Sequence, residues 1–525
     1  MNSLACSKYV LRLFAALAAI SSIFLTAGCG SSTGLAHINP IGFSNSSLTG
    51  TYVFSSQGSD SNGFLITMAG AVTANGIGGT GGITGGTMDI VDPNVGAFPN
   101  QAITAGTYNV GSDGRGTAQL NTAAGNFVLD FVLTSTVHGL VTEFDGNGTG
   151  SGTLDLQTAV PTLGQLAGPY AFGLGGIDSG SNPFASAGSF TLDSNGNVQT
   201  GSVQDYTGDA GTPSPLAGAA TAPAGTSPGT ISLNGALGNL VFDFYPVNAT
   251  HWKAIETDFT FAILSGDIFT QTGATIPNGK MVFTMAGGTF GTGPLALGGV
   301  VTSDGSGNFT GGLEDYNNNG NVNPTQVSFG GNLDAALSGP GTRVVTDLTT
   351  FVPATQWVLY PSAGGLIMLE TDNLNVSLGT GYAQTSTSFA ASQDYGFNVS
   401  AIDLASGGFE EDDIAQFATT SNSLTGAYDI NDEGSLSPGV RLTGSYTPPD
   451  ATGRGTATTD ASGSSFVSFD FYVANSSTVL VLETDSIQIG SGIIELQSPP
   501  AGAMAASHVS LAHTMPRARG AFKHK

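Results

Sequence analysis

The chain has 525 residues, of which 78 are glycine and only 10% are charged, and this composition argues against coiled coils and long exposed helices. Apolar residues make up 40% of the sequence and include 30 phenylalanines, so the chain can build cores and is not disordered throughout. Between Gly30 and Gln497 lie all 38 acidic residues but only six cations, and this net charge of −32 excludes nucleic acid as a partner and a basic patch for anionic lipid.

The first 28 residues have the pattern of an export signal. Lys8 and Arg12 precede an apolar run that is too short for a stable membrane-spanning helix. The next residues, Leu-Thr-Ala-Gly-Cys, end at Cys29 and resemble the lipobox of bacterial lipoproteins, whose cysteine thiol receives diacylglycerol. The resemblance implies that Cys29 is lipidated and, with Gly30 instead of Asp after it, that the protein is anchored in the outer membrane, on a side left open. The alternative is an incidental thiol in an ordinary cleavable signal.

Four segments of the chain repeat one another, which is typical of tandem domains. Their Glu-x-Asp signatures begin at Glu143, Glu256, Glu370 and Glu483, spaced 113, 114 and 113 residues apart. A Thr-Gly turn followed by an acid also recurs, ending at Asp89, Asp205, Asp315 and Asp429. Each copy closes at a glutamine: Gln157, Gln271, Gln384 and Gln497. The predicted domains are a signal peptide (1–28), a lipidated cysteine with a tether (29–47), β repeats at 48–158, 164–272, 279–385 and 388–498, and a basic disordered tail (499–525).

Repeat one contains runs of β-branched and aromatic residues divided by Gly, Asn and Asp turns. These runs predict strands near 50–57, 63–74, 83–90, 102–110, 114–122, 126–134, 137–144 and 150–157. Eight consecutive antiparallel strands favour an all-β, lipocalin-like up-and-down barrel, which leaves no open edge, and the alternative is an immunoglobulin-like β-sandwich. The opening LTGTYVF is similar to barrels of the lipocalin and avidin type, but Trp252 and Trp357 are too few tryptophans for an avidin-like biotin site.

Each repeat carries acids that are candidates for chemistry. They are Asp130, Glu143 and Asp145 in repeat one, Asp243, Glu256 and Asp258 in repeat two, Glu370 and Asp372 in repeat three, and Asp470, Glu483 and Asp485 in repeat four. An aspartate precedes the glutamate by 13 residues in three copies, and Trp357 has that spacing in the third. Across a hairpin, such acids resemble the carboxyl pair of a glycosidase. A catalytic pair is normally single, however, so we expect these acids to be structural, on a solvated strand face.

One loop has the start of a calcium-binding pattern. Asp315, Asn317 and Asn319 match D-x-N-x-N-G, but Gln326 replaces the bidentate acid expected at the twelfth position, so an Asn/Asp-rich turn is the favoured alternative. His138 and His251 are expected to be exposed at hairpin tips, and single histidines of this kind do not form a zinc site. We expect no cofactor.

The lipobox together with Gly-rich β repeats resembles repeat-bearing bacterial surface lipoproteins of unassigned activity. This resemblance implies a lipid-anchored cell-envelope protein, joined to the membrane by its N-terminal lipid, that displays four β domains for interaction or structural roles and is not an enzyme. Two alternatives stay open: a carrier of small apolar ligands inside the barrels, and an envelope hydrolase that uses the repeated acids. The sequence does not decide between a protein, a glycan and a small apolar ligand as partner.

Overall fold

The computed structural model describes residues 42–500 apart from 259–260, 272–274, 291–292, 324, 340–342, 350–355, 406 and 460–467. The described chain is built from β-strands, which form four antiparallel sheets in tandem, each closed or nearly closed into a barrel. Two short 3₁₀ turns, Asn45–Ser47 and Leu163–Leu166, precede the first and second sheets. The predicted all-β barrels are therefore confirmed, and the alternative of immunoglobulin-like sandwiches is wrong.

Barrel one contains every strand predicted for repeat one and a short additional strand. Its strands are β1 (Thr49–Asp60), β2 (Leu65–Asn75), β3 (Gly81–Asp92), β4 (Gly96–Ile103), β5 (Ala105–Val110), β6 (Arg115–Asn121), β7 (Asn126–Leu133), β8 (His138–Asp145) and β9 (Gly148–Leu156). The pairing of β1 with both β2 and β9 closes the wall, since β2 also pairs with β3. The predicted strand near 102–110 covers the end of β4 and all of β5, which pair with different parts of β3.

The other three barrels repeat this plan. Barrel two contains β10 (Gly168–Asp178), β11 (Pro183–Leu192), β12 (Val203–Tyr206), β13 (Ser214–Pro215), β14 (Ala217–Ala220), β15 (Gly229–Gly235), β16 (Gly238–Asn248), β17 (His251–Glu256) and β18 (Ala262–Thr270). Barrel three contains β19 (Asn278–Thr289), β20 (Gly293–Asp304), β21 (Phe309–Asn318), β22 (Asn321–Val322), β23 (Val327–Leu333), β24 (Val344–Thr349), β25 (Gln356–Ser362), β26 (Gly365–Glu370) and β27 (Asn375–Ala383). Barrel four contains β28 (Asp394–Asp403), β29 (Phe409–Thr420), β30 (Ser423–Asp432), β31 (Ser435–Tyr446), β32 (Arg454–Thr459), β33 (Ser468–Val473), β34 (Thr478–Glu483) and β35 (Gln488–Leu496). Barrels three and four are closed, and barrel two stays open between β13 and β14.

Both faces of many strands are buried, because each barrel has an inner core and an outer face covered by a neighbouring barrel. In β7, the alternate residues Phe127, Leu129 and Phe131 point into the core of barrel one. Further apolar clusters lie between barrels; one of them brings Leu140 of barrel one and Ile414 of barrel four together. Burying a side chain of this size stabilises the fold by about 1.5–3 kcal/mol, so the contacts between barrels contribute substantially to stability.

The four barrels form a closed ring. The first two strands of barrel one pack against β16 and β17 of barrel two, those of barrel two against β25–β27, and those of barrel three against β33–β35. The fourth contact has the same form, since β28 and β29 of barrel four pack against β7–β9 of barrel one. Barrels one and four are therefore neighbours although they lie at opposite ends of the described chain.

The glutamine that closes each repeat binds the next barrel in the ring. Gln157 donates a hydrogen bond from Nε2 to the carbonyl oxygen of Pro246 in barrel two, at 2.8 Å. Gln497 donates in the same way to the carbonyl oxygen of Leu133 in barrel one, also at 2.8 Å. The other two glutamines make equivalent contacts: Gln271 with Pro361 and Gln384 with Val473. The repeated glutamines thus stabilise all four junctions, including the one that closes the ring.

Candidate functional site

The four signature glutamates point into the barrels instead of towards solvent. Glu143 pairs directly with Leu129, and Glu483 pairs with Phe469. Directly paired residues of an antiparallel ladder lie on the same face, and both partners belong to barrel cores. All four glutamates are at most 1% exposed. The expectation that they lie on a solvated strand face is therefore wrong.

Burial changes the protonation of these glutamates. It raises the pKa of Glu256 to about 9, with a further contribution from the neighbouring Asp258. The same cause raises the pKa values of the other three, Glu143, Glu370 and Glu483, well above their ordinary value. Because a buried carboxylate is costly, the barrel interior favours the protonated, neutral form of these side chains.

The aspartate of each Glu-x-Asp signature stabilises the turn that follows. Asp145 accepts hydrogen bonds from the backbone N–H groups of Val128, at 2.9 Å, and Asn147, at 2.8 Å. Equivalent carboxylates accept backbone N–H groups in the other repeats: those of Asp258, Asp372 and Asp485. These contacts give the second signature acid a structural role.

The aspartates that precede the glutamates lie on the opposite face of the sheet. Asp130 pairs with Thr142 instead of Glu143, so its side chain points out of barrel one. Asp243 and Asp470 have the same register in barrels two and four, and all three are buried. Carboxyl groups on opposite faces of a sheet do not flank one substrate, so the aspartate and glutamate of one hairpin do not form the carboxyl pair of a glycosidase.

Trp357 does not take the place of the missing aspartate in repeat three. It pairs directly with Glu370 and lies in the core of barrel three, the position that Leu129 has in barrel one. Val358 is the residue that points outward there, in the apolar cluster between barrels two and three. The spacing was misleading because the hairpin of repeat three is one residue shorter, with Gly365 at φ +130° beginning its second strand.

The acids of the Thr-Gly turns meet the next barrel, as the contact between barrels three and four illustrates. Asp315 of barrel three accepts hydrogen bonds from Arg454 Nε, at 2.6 Å, and from Arg454 Nη2, at 3.0 Å. The hydroxyl of Tyr472 donates to the same carboxylate at 2.7 Å, and Arg454 also donates to Asp470 at 2.5 Å. A bidentate arginine–carboxylate pair of this kind is strong and directional, so it fixes the angle between two barrels.

Two further junctions use the same chemistry. Asp205 of barrel two accepts a hydrogen bond from Arg343 Nε at 2.6 Å, in a pair that is fully buried. Arg343 directly precedes β24, as Arg454 begins β32, so the two arginines hold corresponding positions in repeats three and four. At the junction that closes the ring, Arg115 of barrel one lies 3.8 Å from Asp429 of barrel four.

Among the described residues, the junction between barrels one and two has no arginine. Asp89 of barrel one faces Asp243 and Tyr245 of barrel two. Burial raises the pKa of Asp89 to about 7, and the adjacent Asp243 carboxylate contributes to the increase. Burial also raises the pKa of Asp243. The two acids therefore hold a shared proton at mildly acidic pH, where the other junctions have an arginine.

The predicted calcium loop has another role. The Asp315 carboxylate already binds Arg454 and Tyr472. Asn317 uses its Nδ2 as a donor to three backbone carbonyls of barrel four, including that of Gln488 at 2.8 Å. Asn319 has φ +52°, which is typical of a turn. Asp315 and Asn317 are thus used in the contact between barrels, which favours the structural alternative for this loop.

His138 is a buried cation and not the exposed turn residue that we expected. Its Nδ1 lies 2.6 Å from Asp155, and its Nε2 lies 3.0 Å from Glu495 of barrel four. Burial lowers the pKa of His138, but the two carboxylates outweigh this effect and raise the pKa to about 10. His138 therefore joins barrels one and four by charge.

Lys253 extends this row of charges into barrel two. Its Nζ lies 3.1 Å from Asp155 of barrel one and 3.5 Å from Asp267 of its own barrel, and its side chain is fully buried. His251, also predicted to be exposed, is buried with Nε2 2.6 Å from Asp267. Alternating charges thus run through barrels four, one and two without access to solvent.

A run of four acids, Glu410 to Asp413, was overlooked in the sequence although it lies inside the strand pattern FEEDDIAQF. All four are buried. The carboxylates of Glu410 and Asp412 face barrel one, where Asp412 accepts hydrogen bonds from Thr149 at 2.8 Å and Ser151 at 2.6 Å. Glu411 and Asp413 point into barrel four. Four consecutive charges in a strand are unusual and are the signal that identifies this segment.

The described cavities are small. One, lined by residues of barrels one, three and four that include Tyr382 and Asn398, has a volume of about 30 Å³. Another lies inside barrel four among aromatic side chains and has a volume of about 20 Å³. Each has room for a water molecule or two, whereas ligand sites typically measure about 300–1,000 Å³. Neither cavity fits a carried ligand.

No family model matches the sequence, and no curated protein matches it either. Within the described residues, no helix has the length and apolar character needed to cross a membrane. Cys29 lies outside the described residues. The end of the predicted tether is described, and Phe43 there packs into the core of barrel one, so the chain enters the ring close to that barrel.

Proposed function

We propose that this protein is a lipid-anchored component of the bacterial outer membrane, in which the ring of four barrels has a structural or interaction role without catalysis. The observation that carries the proposal is the location of the repeated polar residues. The signature glutamates are buried inside barrels, the outward aspartates lie at junctions, and the closing glutamines bind the next barrel. The repeated chemistry therefore assembles the ring, and an assembled ring offers a rigid surface at the end of a tether.

The anchor is supported by the resemblance of Leu25 to Cys29 to a lipobox. Cys29→Ser removes the lipid acceptor, so we expect the variant protein to lose labelled palmitate and to move from the detergent phase to the aqueous phase. Cys6→Ser is the matched control, because Cys6 lies inside the predicted signal, and this variant should keep both the label and the membrane association. Membrane association of Cys29→Ser equal to that of the wild type would refute the anchor.

A further inference from the structure

One end of barrel four contains a cluster of acids that is larger than its counterpart in barrel one, where Asp60 and Asp92 hold the positions of Asp403 and Asp432. Asp403 ends β28, Glu411 lies near the start of β29, and Asp432 ends β30. Glu411 pairs directly with Asp432, so their side chains share one face of the sheet. Oxygen atoms of all three carboxylates lie within 4.8 Å of one another. Since all three point to the interior, they surround a common point inside the end of the barrel.

Two buried polar side chains complete the cluster and have unpartnered atoms. Asp413 follows Glu411 on the same face of β29, is 1% exposed, and has no hydrogen-bond partner for either carboxylate oxygen. Gln488 is fully buried and pairs with Asp403. Its Nε2 donates to Glu411 at 3.0 Å, and its Oε1 has no partner. Leaving such buried oxygen atoms without a partner costs several kcal/mol. This cost points to a missing cation that the oxygen atoms would coordinate.

The cations of barrel four are placed away from the cluster. Barrel four has two, Arg441 and Arg454. Arg441 is exposed on the barrel wall, and Arg454 points outward to Asp315 and Asp470. Neither of these two cations is directed at the end of the barrel where Glu411 and Asp432 lie.

Barrel one provides an internal comparison, because it has the same fold without the additional acids. The strand registers place Ile66 and Met68 of barrel one at the positions of Glu411 and Asp413. Gly148 corresponds to Gln488, since each pairs with the last residue of the first strand. The barrel forms with apolar residues at the first two of these places, so Glu411 and Asp413 are not needed for the barrel fold.

We propose that Asp403, Glu411 and Asp432, with Asp413 and Gln488, form a binding site for one Ca²⁺ ion inside the end of barrel four. Calcium takes six to eight oxygen ligands at about 2.4 Å, so ligands on opposite sides of the ion are about 4.8 Å apart. The three carboxylates are close enough to one another to share one such ion, and the cluster offers only oxygen ligands. It has no histidine or cysteine, which a zinc site normally requires. The bound ion neutralises the acids and ties β28, β29, β30 and β35 together.

The test uses the mature chain, stripped with EDTA, and measures its melting temperature and its binding heat with added CaCl₂. We expect a rise of a few degrees and binding of one Ca²⁺ per chain. The informative variant is Glu411→Ile with Asp413→Met, which installs the residues of barrel one. It should fold, melt in EDTA at or above the temperature of the wild type, and respond to calcium no longer.

Asp92→Asn is the matched control, because Asp92 ends β3 of barrel one as Asp432 ends β30 of barrel four. This variant should keep the full response to calcium. Two results would overturn the proposal: a wild-type protein that binds no calcium, which would mean that the acids are simply protonated, or a double variant that binds as the wild type does. If the double variant fails to fold, the test uses Gln488→Gly instead. We expect this variant to bind calcium at least tenfold more weakly than the wild type. Unchanged calcium binding would reject the site.

Discussion

Individual residues of this protein show how a strongly acidic chain uses its few cations. Four of the six cations between Gly30 and Gln497 form ion pairs across junctions between barrels: Arg115, Lys253, Arg343 and Arg454. A buried ion pair contributes little when compared with apolar residues of the same size, but removing one partner leaves an uncompensated charge. The cations are therefore positions where a single substitution has a large effect.

Lys253→Met tests this at one residue. The substitution keeps the volume of the side chain but leaves Asp155 and Asp267 without the Nζ that lies 3.1 and 3.5 Å away. We expect the free energy of unfolding to fall by about 3–5 kcal/mol in denaturant melts. Lys280→Met is the control, because Lys280 is exposed and its Nζ donates at the surface to the carbonyl oxygen of Ala451 at 3.2 Å, so its effect should stay within about 0.5 kcal/mol. Equal effects of the two substitutions would contradict a structural role for the buried charges.

At the scale of elements, the strands were predictable and the faces of their polar residues were not. Alternating apolar residues such as Phe127, Leu129 and Phe131 have the period of a strand whatever covers its other face. A sequence does not show that the outer face is covered by another barrel, so Asp130 was expected in solvent. The hairpin of repeat three is one residue shorter, and a shift of one residue exchanges the two faces of a strand. The spacing therefore equated Trp357 with the outward aspartates, although Trp357 points into the barrel.

The acid cluster of barrel four could have been predicted only in part. The run Glu410 to Asp413 is visible in the sequence, and its strand period divides the acids between two faces. Asp403, Asp432 and Gln488 join the cluster from distant strands, and only the register of a closed barrel brings them together. A single sequence contains no direct record of such pairing.

The junction of barrels one and two predicts a dependence of stability on pH. Asp89 has a pKa raised to about 7 by burial, beside Asp243 and Tyr245. In the unfolded chain an aspartate loses its proton near pH 4, so the folded state binds the proton more tightly. The stabilisation is complete below about pH 4 and is lost as the pH rises to about 7.

Asp89→Asn removes this titration and keeps a side chain of the same shape. We expect wild type and variant to be similarly stable at pH 5, and the variant to gain roughly 2–3 kcal/mol over the wild type at pH 8. Asp193→Asn is the control, since the pKa of the exposed Asp193 is lowered by hydrogen bonds from Asn197 and it does not titrate in this range. A difference between Asp89→Asn and wild type that does not change with pH would refute the shared proton.

At the scale of the whole molecule, the stability of the ring depends on which barrels are neighbours more than on where the chain begins and ends. Each junction has the same components: the closing glutamine of one barrel, the first two strands of that barrel and the last strands of the next barrel. The chain crosses three junctions covalently, and the fourth is held by contacts alone. The barrels should therefore unfold together, as one cooperative unit, and not one after another.

A circular permutant tests the closure of the ring. The backbone N–H of Phe43 and the Nε2 of Gln497 bind neighbouring carbonyl oxygens, those of Ser112 and Asp113, so the two ends of the ring lie close together. A flexible linker of about ten residues can join them. A new start in the exposed segment at Val160 then converts the fourth junction into a covalent one and the first into a contact.

We expect the permutant to melt in a single transition within about 5 °C of the original chain, because every contact between barrels is kept. A chain that ends after Gln384 is the matched comparison. It lacks barrel four and exposes the apolar faces of barrels one and three, including Val132 and Val300, so it should melt at a lower temperature and self-associate. A permutant that unfolds at as low a temperature as this truncated chain, or in several separate steps, would contradict this expectation. It would show that the fourth junction contributes less to stability than its buried contacts indicate.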